Sequence, residues 1–287
     1  MMLLDGKKLR NEIASELKTS IDAYVSKGYV SPKVAIIQVG MNKESTLFIE
    51  NKKKFGQKIG VEVVHVHLPY NIPEDELLKE IYALNDDNSV HGVIIQMPVP
   101  KHIRREVCVE AISPLKDVDG LHSENVKALW VHRSDGIVPA TTRGILTLLE
   151  HNGVLIEGRN VVVVGRSSLV GKPTAMAFLN KNATVTVCHS KTPNLEFYTT
   201  PADILIAAAG VPRLIRSQHV RPGQVVVDVG ITIEEVPERV AVGDVHFDEV
   251  ADIVHAISPV PGGVGPMTVA SLFQNLFDAY TRIIKKG

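Results

Sequence analysis

The chain has 287 residues, 45% hydrophobic and 22% charged, the proportions of a globular protein rather than of a disordered, coiled-coil or collagen-like one. Thirty-one Lys and Arg against thirty-two Asp and Glu leave a net charge of -1, without the basic excess that advertises nucleic-acid binding. The length suits two domains or one large α/β unit, and the longest apolar run, Ile204 to Val211, is far short of the roughly 18 residues that cross a bilayer.

Along the chain, β-like runs alternate with helical patterns. Leu9, Ile13, Leu17 and Ile21 recur every four residues behind Asp5, a cap-forming residue, and the pattern stops at Gly28, which predicts a first amphipathic helix. Val34 to Val39 (VAIIQV) then reads as a buried strand, Glu44 to Ile59 as a helix closed by Gly60, and Val61 to His67 as a strand. A helix opening at Pro73 and running to about Leu84 precedes the short apolar strand Val93 to Gln96. Strands that are continuously apolar rather than alternating belong to a parallel sheet covered on both faces. Residues 113–143 are irregular, a helix is expected from Arg143 to about His151, and the domain junction is placed there. A second βαβ series follows, with strands at Asn160 to Gly165, Ala183 to Cys188, Ile204 to Ala208 and Val225 to Val229, and a helical pattern from Met267 to Lys286 ends the chain. The N-terminus has acids among its bases and lacks the apolar core of a signal sequence, so a cytoplasmic address is expected. Cys108 and Cys188 lie far apart without a CxxC, which suggests neither a zinc site nor a disulfide framework.

The segment VVVVGRSSLVGKP (161–173) is a strand, a Gly-bearing turn and a helix start, the setting in which helix N-terminal amides hold a pyrophosphate. Gly165 permits the turn, Ser167 replaces the middle glycine of the dinucleotide fingerprint, and Gly171 falls one residue late. The acid expected about 20 residues later, to take the ribose of NAD, is missing. That strand end reads His189-Ser190-Lys191-Thr192, which with Arg166 suits the 2′-phosphate of NADP; the alternative is that Arg166 and Lys191 are ordinary solvated charges.

In the first half, Phe48 and Lys52 share a helix face at i,i+4 spacing, and Lys52 is either a pocket base or a surface residue like its neighbours Lys53 and Lys54. Gln96 closes an apolar strand just before Met97-Pro98, either as a ligand-binding group or as a strand-end hydrogen bonder. Asp117 and Asp119 in KDVDG are candidates for turn caps, a cation site or anchors for an amino-pyrimidine ring. His65 and His67 face the same way on one strand without a third ligand, so a structural role outweighs a metal site. The Gly- and Pro-rich run PVPGGVGPMT (259–268), entering the last helix, either approaches a ligand closely or is a hinge.

Together, LLDGK, the Ser45 and Lys52 segment, QMPVP, KDVDGLH, VVGRSSLVGKP, NATVTVCHSKT, ADILIAAAG, GDV and PVPGGVGPMT closely resemble the bifunctional methylenetetrahydrofolate dehydrogenase/methenyltetrahydrofolate cyclohydrolases of the short, bacterial-type form, over nearly the whole chain. The resemblance implies an α/β fold of two domains. These are a folate-binding catalytic domain with a parallel sheet (1–140), onto which the C-terminal helix (267–287) packs back, and a Rossmann-like NADP-binding domain (141–266). It implies Lys52 as the catalytic lysine, Gln96 as its hydrogen-bonding partner and Asp119 as the carboxylate that holds the pterin. Phe48, Pro261, Gly262 and Gly263 would line the folate site, while Gly165, Arg166, Ser167, Ser190 and Ile231 would contact NADP, and no metal is implied. The expected activity is NADP-dependent oxidation of 5,10-methylenetetrahydrofolate and hydrolysis of the methenyl product to 10-formyltetrahydrofolate. A homodimer and tetrahydrofolate derivatives are the expected partners, with no nucleic acid and no membrane. The chain departs from the family pattern at Phe48, where a tyrosine is usual, at Lys43 and Glu44, and at Thr142, where a proline is usual. The alternatives are a dehydrogenase with weak or absent cyclohydrolase, a non-catalytic NADP- or folate-binding protein, and a shikimate dehydrogenase-like enzyme.

Overall fold

The structure is a computed structural model that describes residues 1–234 and 240–285, without the side chains of Lys43 and Glu44. The family departure at those two positions, and the last residues of the expected final helix, therefore lie outside the described residues. The first half contains β1 (Met2–Leu3), α1 (Gly6–Val25), β2 (Lys33–Val39), α2 (Lys43–Ile59), β3 (Glu62–Leu68), α3 (Glu74–Asp86), β4 (Gly92–Ile95), α4 (Arg105–Ala111), α5 (Ser123–Trp130) and α6 (Ala140–His151). The second contains β5 (Asn160–Val164), α7 (Gly171–Asn180), β6 (Thr184–Cys188), α8 (Leu195–Thr199), β7 (Ile204–Ala207), β8 (Val225–Asp228), β9 (Thr232–Glu234), β10 (Val240–Val242), α9 (Phe247–Val250), β11 (Ala256–Ile257) and α10 (Val264–Ile284). They sort into two compact units, one of residues 11–140 with 269–287 and the other of residues 1–10 with 141–268.

The unit of residues 11–140 is built on a parallel three-stranded sheet in the order β3-β2-β4. Six of the seven residues of β2 are buried without alternation, as a strand covered on both faces requires. On one face Ala35, Ile37 and Val39 pack with Val93 and Ile95 against Leu77 and Ile81 of α3 and Cys108 of α4. Helix α2 begins where the Asn42 side chain accepts from Ser45 N and ends at Gly60, whose left-handed φ of 81° lets its N–H return to Gln57 O and Gly56 O. The later part of α10 belongs to this unit: Phe273 packs on Phe55, and Tyr280 donates its hydroxyl to Val30 O at 2.8 Å. Asn275, fully buried, donates to both Val118 O and Val138 O at 2.9 Å and so ties two loops to the helix.

The other unit is built on a six-stranded, all-parallel sheet in the order β1-β11-β8-β7-β5-β6. Its strands are Val- and Ile-rich because both faces are covered; β5, β7 and β8 are almost wholly buried. Chain order reverses at β5, which has β6 on one side and β7 on the other, and ligands of such sheets bind outside the strand ends at that point. Residues 1–10, grouped with the first domain in the expected 1–140 division, lie in this unit. Here β1 pairs with β11, Met2 N donates to His255 O and Leu4 N to Ile257 O. A two-residue strand has no periodicity by which sequence could assign it. Both cysteines are buried, and burial pushes the Cys108 thiol up to about 11 and raises that of Cys188.

An Asn275→Ala substitution strands two backbone carbonyls in the interior. It is expected to cost about 2–4 kcal/mol, read as a lower midpoint of denaturant unfolding.

Candidate active site

Lys52, Gln96 and Asp119 lie in the unit of residues 11–140. Gln96 follows β4 and stays in the ladder through its N–H, which donates to Ile37 O at 2.8 Å. Its side-chain Nε2 donates to Met97 O at 3.0 Å, which fixes the amide so that Oε1 accepts from Lys52 Nζ at 2.8 Å. The lysine is therefore not one more solvated charge beside Lys53, which pairs with Glu50 at 2.8 Å. Burial disfavours the ammonium form and lowers the Lys52 pKa, while the charge of Asp119 opposes that shift.

The two carboxylates of KDVDG divide their work. Asp117 is a buried cap that accepts from Gly120 N at 3.1 Å, His122 N at 2.8 Å and Asn125 Nδ2 at 2.9 Å. Lys116 Nζ donates to the carbonyls of Leu84, Asn85 and Asp87, anchoring the same loop from the other side. Gly120, at φ 74°, lets the loop pass Pro139, where an added Cβ would lie 2.7 Å from Pro139 N. Thus braced, the loop carries Asp119 into the field of Lys52. Burial raises the Asp119 pKa most, Lys52 lowers it, and the neighbouring Asp117 raises it further. Phe48, one turn before Lys52 on α2, is 44% exposed and has no hydroxyl to offer the amine. The imidazoles of His65 and His67 lie near Gln38 Oε1 (2.9 Å) and Gly40 O (3.2 Å), as expected of structural histidines.

The remaining site residues named from sequence fall in the other unit. The chain turns after β5 at Gly165 (φ 132°), where a Cβ would lie 2.0 Å from Ala208 O; at Gly171 a Cβ would lie 2.3 Å from Gly165 O. Ser167 Oγ accepts from Val170 N at 3.2 Å and Gly171 N at 3.3 Å, capping the entry to α7, while Arg166, Ser167 and Ser168 are exposed. After β6, His189 N donates to Thr192 Oγ1 and Lys191 N to His189 Nδ1, a turn that leaves Ser190 and Lys191 exposed. An amide-rich turn at a helix N-terminus, flanked by a cation and hydroxyls without a carboxylate, fits a dinucleotide carrying a 2′-phosphate.

Ile231, Pro261 and Gly262 come together in one small pocket with Asp228, Gly230, Ala241 and Gly265. Its 259–263 loop is held by Gly263 N donating to Pro259 O, and by Lys7 N donating to Gly262 O at 2.9 Å. Gly6 packs so closely that a Cβ would meet Gly263 O, which explains the glycine in LLDGK. Sequence reasoning gave no role to two buried acids, Asp228 in the wall of this pocket and Asp244 next to it; the signals were a run of valines ending in Asp228 with Gly230 two residues on, and Gly243-Asp244.

A parallel doubly wound sheet with a glycine turn at its reversal point, joined in one chain to a second α/β unit bearing a lysine–glutamine–aspartate cluster, defines a two-unit NAD(P)-dependent α/β enzyme. The family model described as tetrahydrofolate dehydrogenase/cyclohydrolase, catalytic domain, matches residues 4–119, and that of the NAD(P)-binding domain matches residues 139–284. The bifunctional protein FolD of Aquifex aeolicus is 43% identical, the alignment covering 98% of this chain and 96% of that protein. The crystal structure of the bifunctional methylenetetrahydrofolate dehydrogenase/cyclohydrolase FolD from Campylobacter jejuni superposes with a TM-score of 0.95 at 43% identity, covering 98% of this chain and 99% of that one. The Trypanosoma brucei enzyme, solved with NADP cofactor and inhibitor, gives 0.94 at 35% identity, covering 99% and 98%. The chain belongs to the tetrahydrofolate dehydrogenase/cyclohydrolase family, which removes the shikimate dehydrogenase-like alternative.

Replacing Gly165 by Ala forces the turn away from Ala208 and out of its left-handed backbone. The expected result is a loss of NADP affinity of more than about tenfold in a direct binding titration.

Proposed function

We infer that the protein oxidises 5,10-methylenetetrahydrofolate with NADP⁺ and hydrolyses the resulting 5,10-methenyl cation to 10-formyltetrahydrofolate, a place in one-carbon metabolism. The observation that carries this reading is the Lys52–Gln96 hydrogen bond at 2.8 Å with Asp119 beside it, in a chain of this family. The same reading includes a cytoplasmic homodimer.

NADP⁺, when bound, supplies the acceptor for the hydride leaving the folate methylene. Gly165 and Ser167 would hold its pyrophosphate at the start of α7, Arg166, Ser190 and Lys191 would take its 2′-phosphate on the β6 side, and the Ile231–Gly262 pocket on the β8 side would receive the nicotinamide end. Asp119 offers acceptors to the amino-pyrimidine edge of the pterin, and Phe48 offers a face for stacking. Hydration is the step that needs a base. Burial weakens the hold of Lys52 on its proton, and a cationic substrate alongside weakens it further. The neutral amine takes a proton from water as the water oxygen bonds to the methenyl carbon. It then delivers that proton to the ring nitrogen whose bond to carbon breaks, while the remaining hydroxyl proton is released to solvent and the C–O bond becomes the carbonyl of the formyl group left on the other nitrogen. Gln96 orients the amine throughout, because its own amide is fixed on Met97 O.

A paired assay tests the reading: NADP-dependent oxidation of methylenetetrahydrofolate in one arm, loss of methenyltetrahydrofolate above its spontaneous hydrolysis in the other. Both are expected to proceed, and sedimentation at assay concentration is expected to show a dimer. Phe48 favours a second reading, a dehydrogenase with weak hydration, and activity in the first arm alone would select it. Lys52→Met is expected to lower cyclohydrolase turnover by about 10²-fold or more. The wild-type hydration rate should rise with pH as Lys52 deprotonates, with a midpoint below that of an ordinary lysine, and this rise should vanish in the variant. Phe48→Tyr is expected to raise hydration without changing hydride transfer.

A further inference from the structure

Two buried acids in the unit of residues 1–10 and 141–268 have no role in the reaction described above. Asp228 ends β8 and lines the pocket of Ile231, Pro261 and Gly262. Its Oδ1 accepts from Gly230 N at 3.0 Å and Asp244 N at 2.9 Å, and its Oδ2 from Val245 N at 2.9 Å. Asp244 in turn accepts through Oδ2 from Ala209 N at 2.6 Å and Gly210 N at 2.8 Å, in the loop that follows β7 and presses on Gly165. The loops after β7 and β8 and the 243–245 turn are thus stitched together by two carboxylates.

Space for both acids is made by glycine. A Cβ on Gly243 would collide with Asp228 Oδ2, and one on Gly230 would lie 2.2 Å from Asp244 Oδ1. Asp244 Oδ1 is buried with no hydrogen-bond partner. A structural cap has no need of a second, unsatisfied oxygen, since burying it costs free energy. Among the described residues, the cations of the neighbouring elements are engaged elsewhere. Arg213, whose N–H holds Gly243 O, spends its guanidinium on Glu234 of β9, and His246 beyond the turn lies 3.4 Å from Glu249. The charge felt by Asp228 is that of Asp244.

We propose that Asp228 and Asp244 are a positioning and specificity-determining pair. They brace the loops around the pocket of Ile231, Pro261 and Gly262, and the negative charge of Asp228 at its wall, tuned by Asp244 behind it, favours the oxidised, cationic nicotinamide over the neutral reduced one. This rests on the reading that the pocket receives the nicotinamide end of NADP. Burial first, and the like charge of Asp244 in addition, push Asp228 up to about 7, against its three backbone hydrogen bonds. Its ionisation therefore falls within the working pH range. Protonation below that point removes the charge that attracts the pyridinium and leaves the neutral dihydronicotinamide nearly unaffected.

The test is an equilibrium titration of NADP⁺ and of NADPH against the whole protein, without folate, between about pH 5.5 and 8.5. The readout is the ratio of the two Kd values, in which the 2′-phosphate, common to both forms, cancels. The ratio Kd(NADP⁺)/Kd(NADPH) is expected to rise roughly tenfold as pH falls through about 7. Asp244→Asn can keep an oxygen on Ala209 N and Gly210 N and put its amide nitrogen where Oδ1 had no partner. With the neighbouring charge gone, the midpoint of the ratio should move to lower pH while both forms still bind. A ratio independent of pH, or a midpoint unmoved in Asp244→Asn, overturns the proposal and leaves the proposed function standing. Failure of either form to bind at any pH overturns the reading of this unit, and the proposal with it. Should Asp244→Asn not fold, the wild-type profile alone decides.

Discussion

A primary amine withdrawn from water must find an acceptor or give up its proton, and Lys52 does something of both. Its hydrogen bond to Gln96 Oε1 joins a helix to the end of a strand 44 residues away, so the register of α2 and the termination of β4 are coupled at one contact. That contact holds only because Gln96 is itself fixed twice, by its N–H on Ile37 O and its amide on Met97 O. The KDVDG loop supplies the counter-charge, and it can do so because Asp117 accepts the backbone N–H groups that would otherwise compete for Asp119, while Lys116 anchors the loop on the carbonyls of Leu84, Asn85 and Asp87.

Parallel sheets explain where the rest of the chemistry sits. In a parallel sheet all strands end on the same edge, so the loops leaving them are neighbours regardless of their distance in sequence. In the three-stranded sheet Gln96 follows β4; in the six-stranded sheet Gly165 follows β5, Ser190 follows β6, Ala209 and Gly210 follow β7, and Asp228 closes β8. In the six-stranded unit these loops pack backbone to backbone. Gly165 lies against Ala208, Gly171 against Gly165, and Gly6 against Gly263, each with no room for a side chain.

Much of this was legible in sequence where the signal was local. The unbroken apolar run of VAIIQV gave away a covered strand, and Gly60 marked the end of α2 at the residue where the structure ends it. The dinucleotide turn could be read because strand, glycine and helix start are contiguous. What stayed hidden depends on partners far along the chain. β1 is two residues long and acquires meaning only beside β11, and the β9–β10 pair carries no strong pattern. Nor could spacing separate Asp117 from Asp119, since the difference is that Asn125 and the His122 amide reach one and not the other. Lys52 and its neighbour Lys53 likewise look identical in sequence; the burial and the glutamine that distinguish Lys52 are tertiary.

The burial of both cysteines also decides how the protein meets oxidants and electrophiles. At pH 7, a thiol with a pKa of about 11 exists as thiolate to only about one part in ten thousand, and the thiolate is the form that is oxidised or alkylated. Cys188 is shielded in the same way at the end of β6. Burial thus holds both sulfurs in the slowly reacting thiol form. A cysteine introduced on the surface would be the one fast-reacting thiol in the folded chain, so a fluorophore or spin label could be attached to either unit without first removing the native pair.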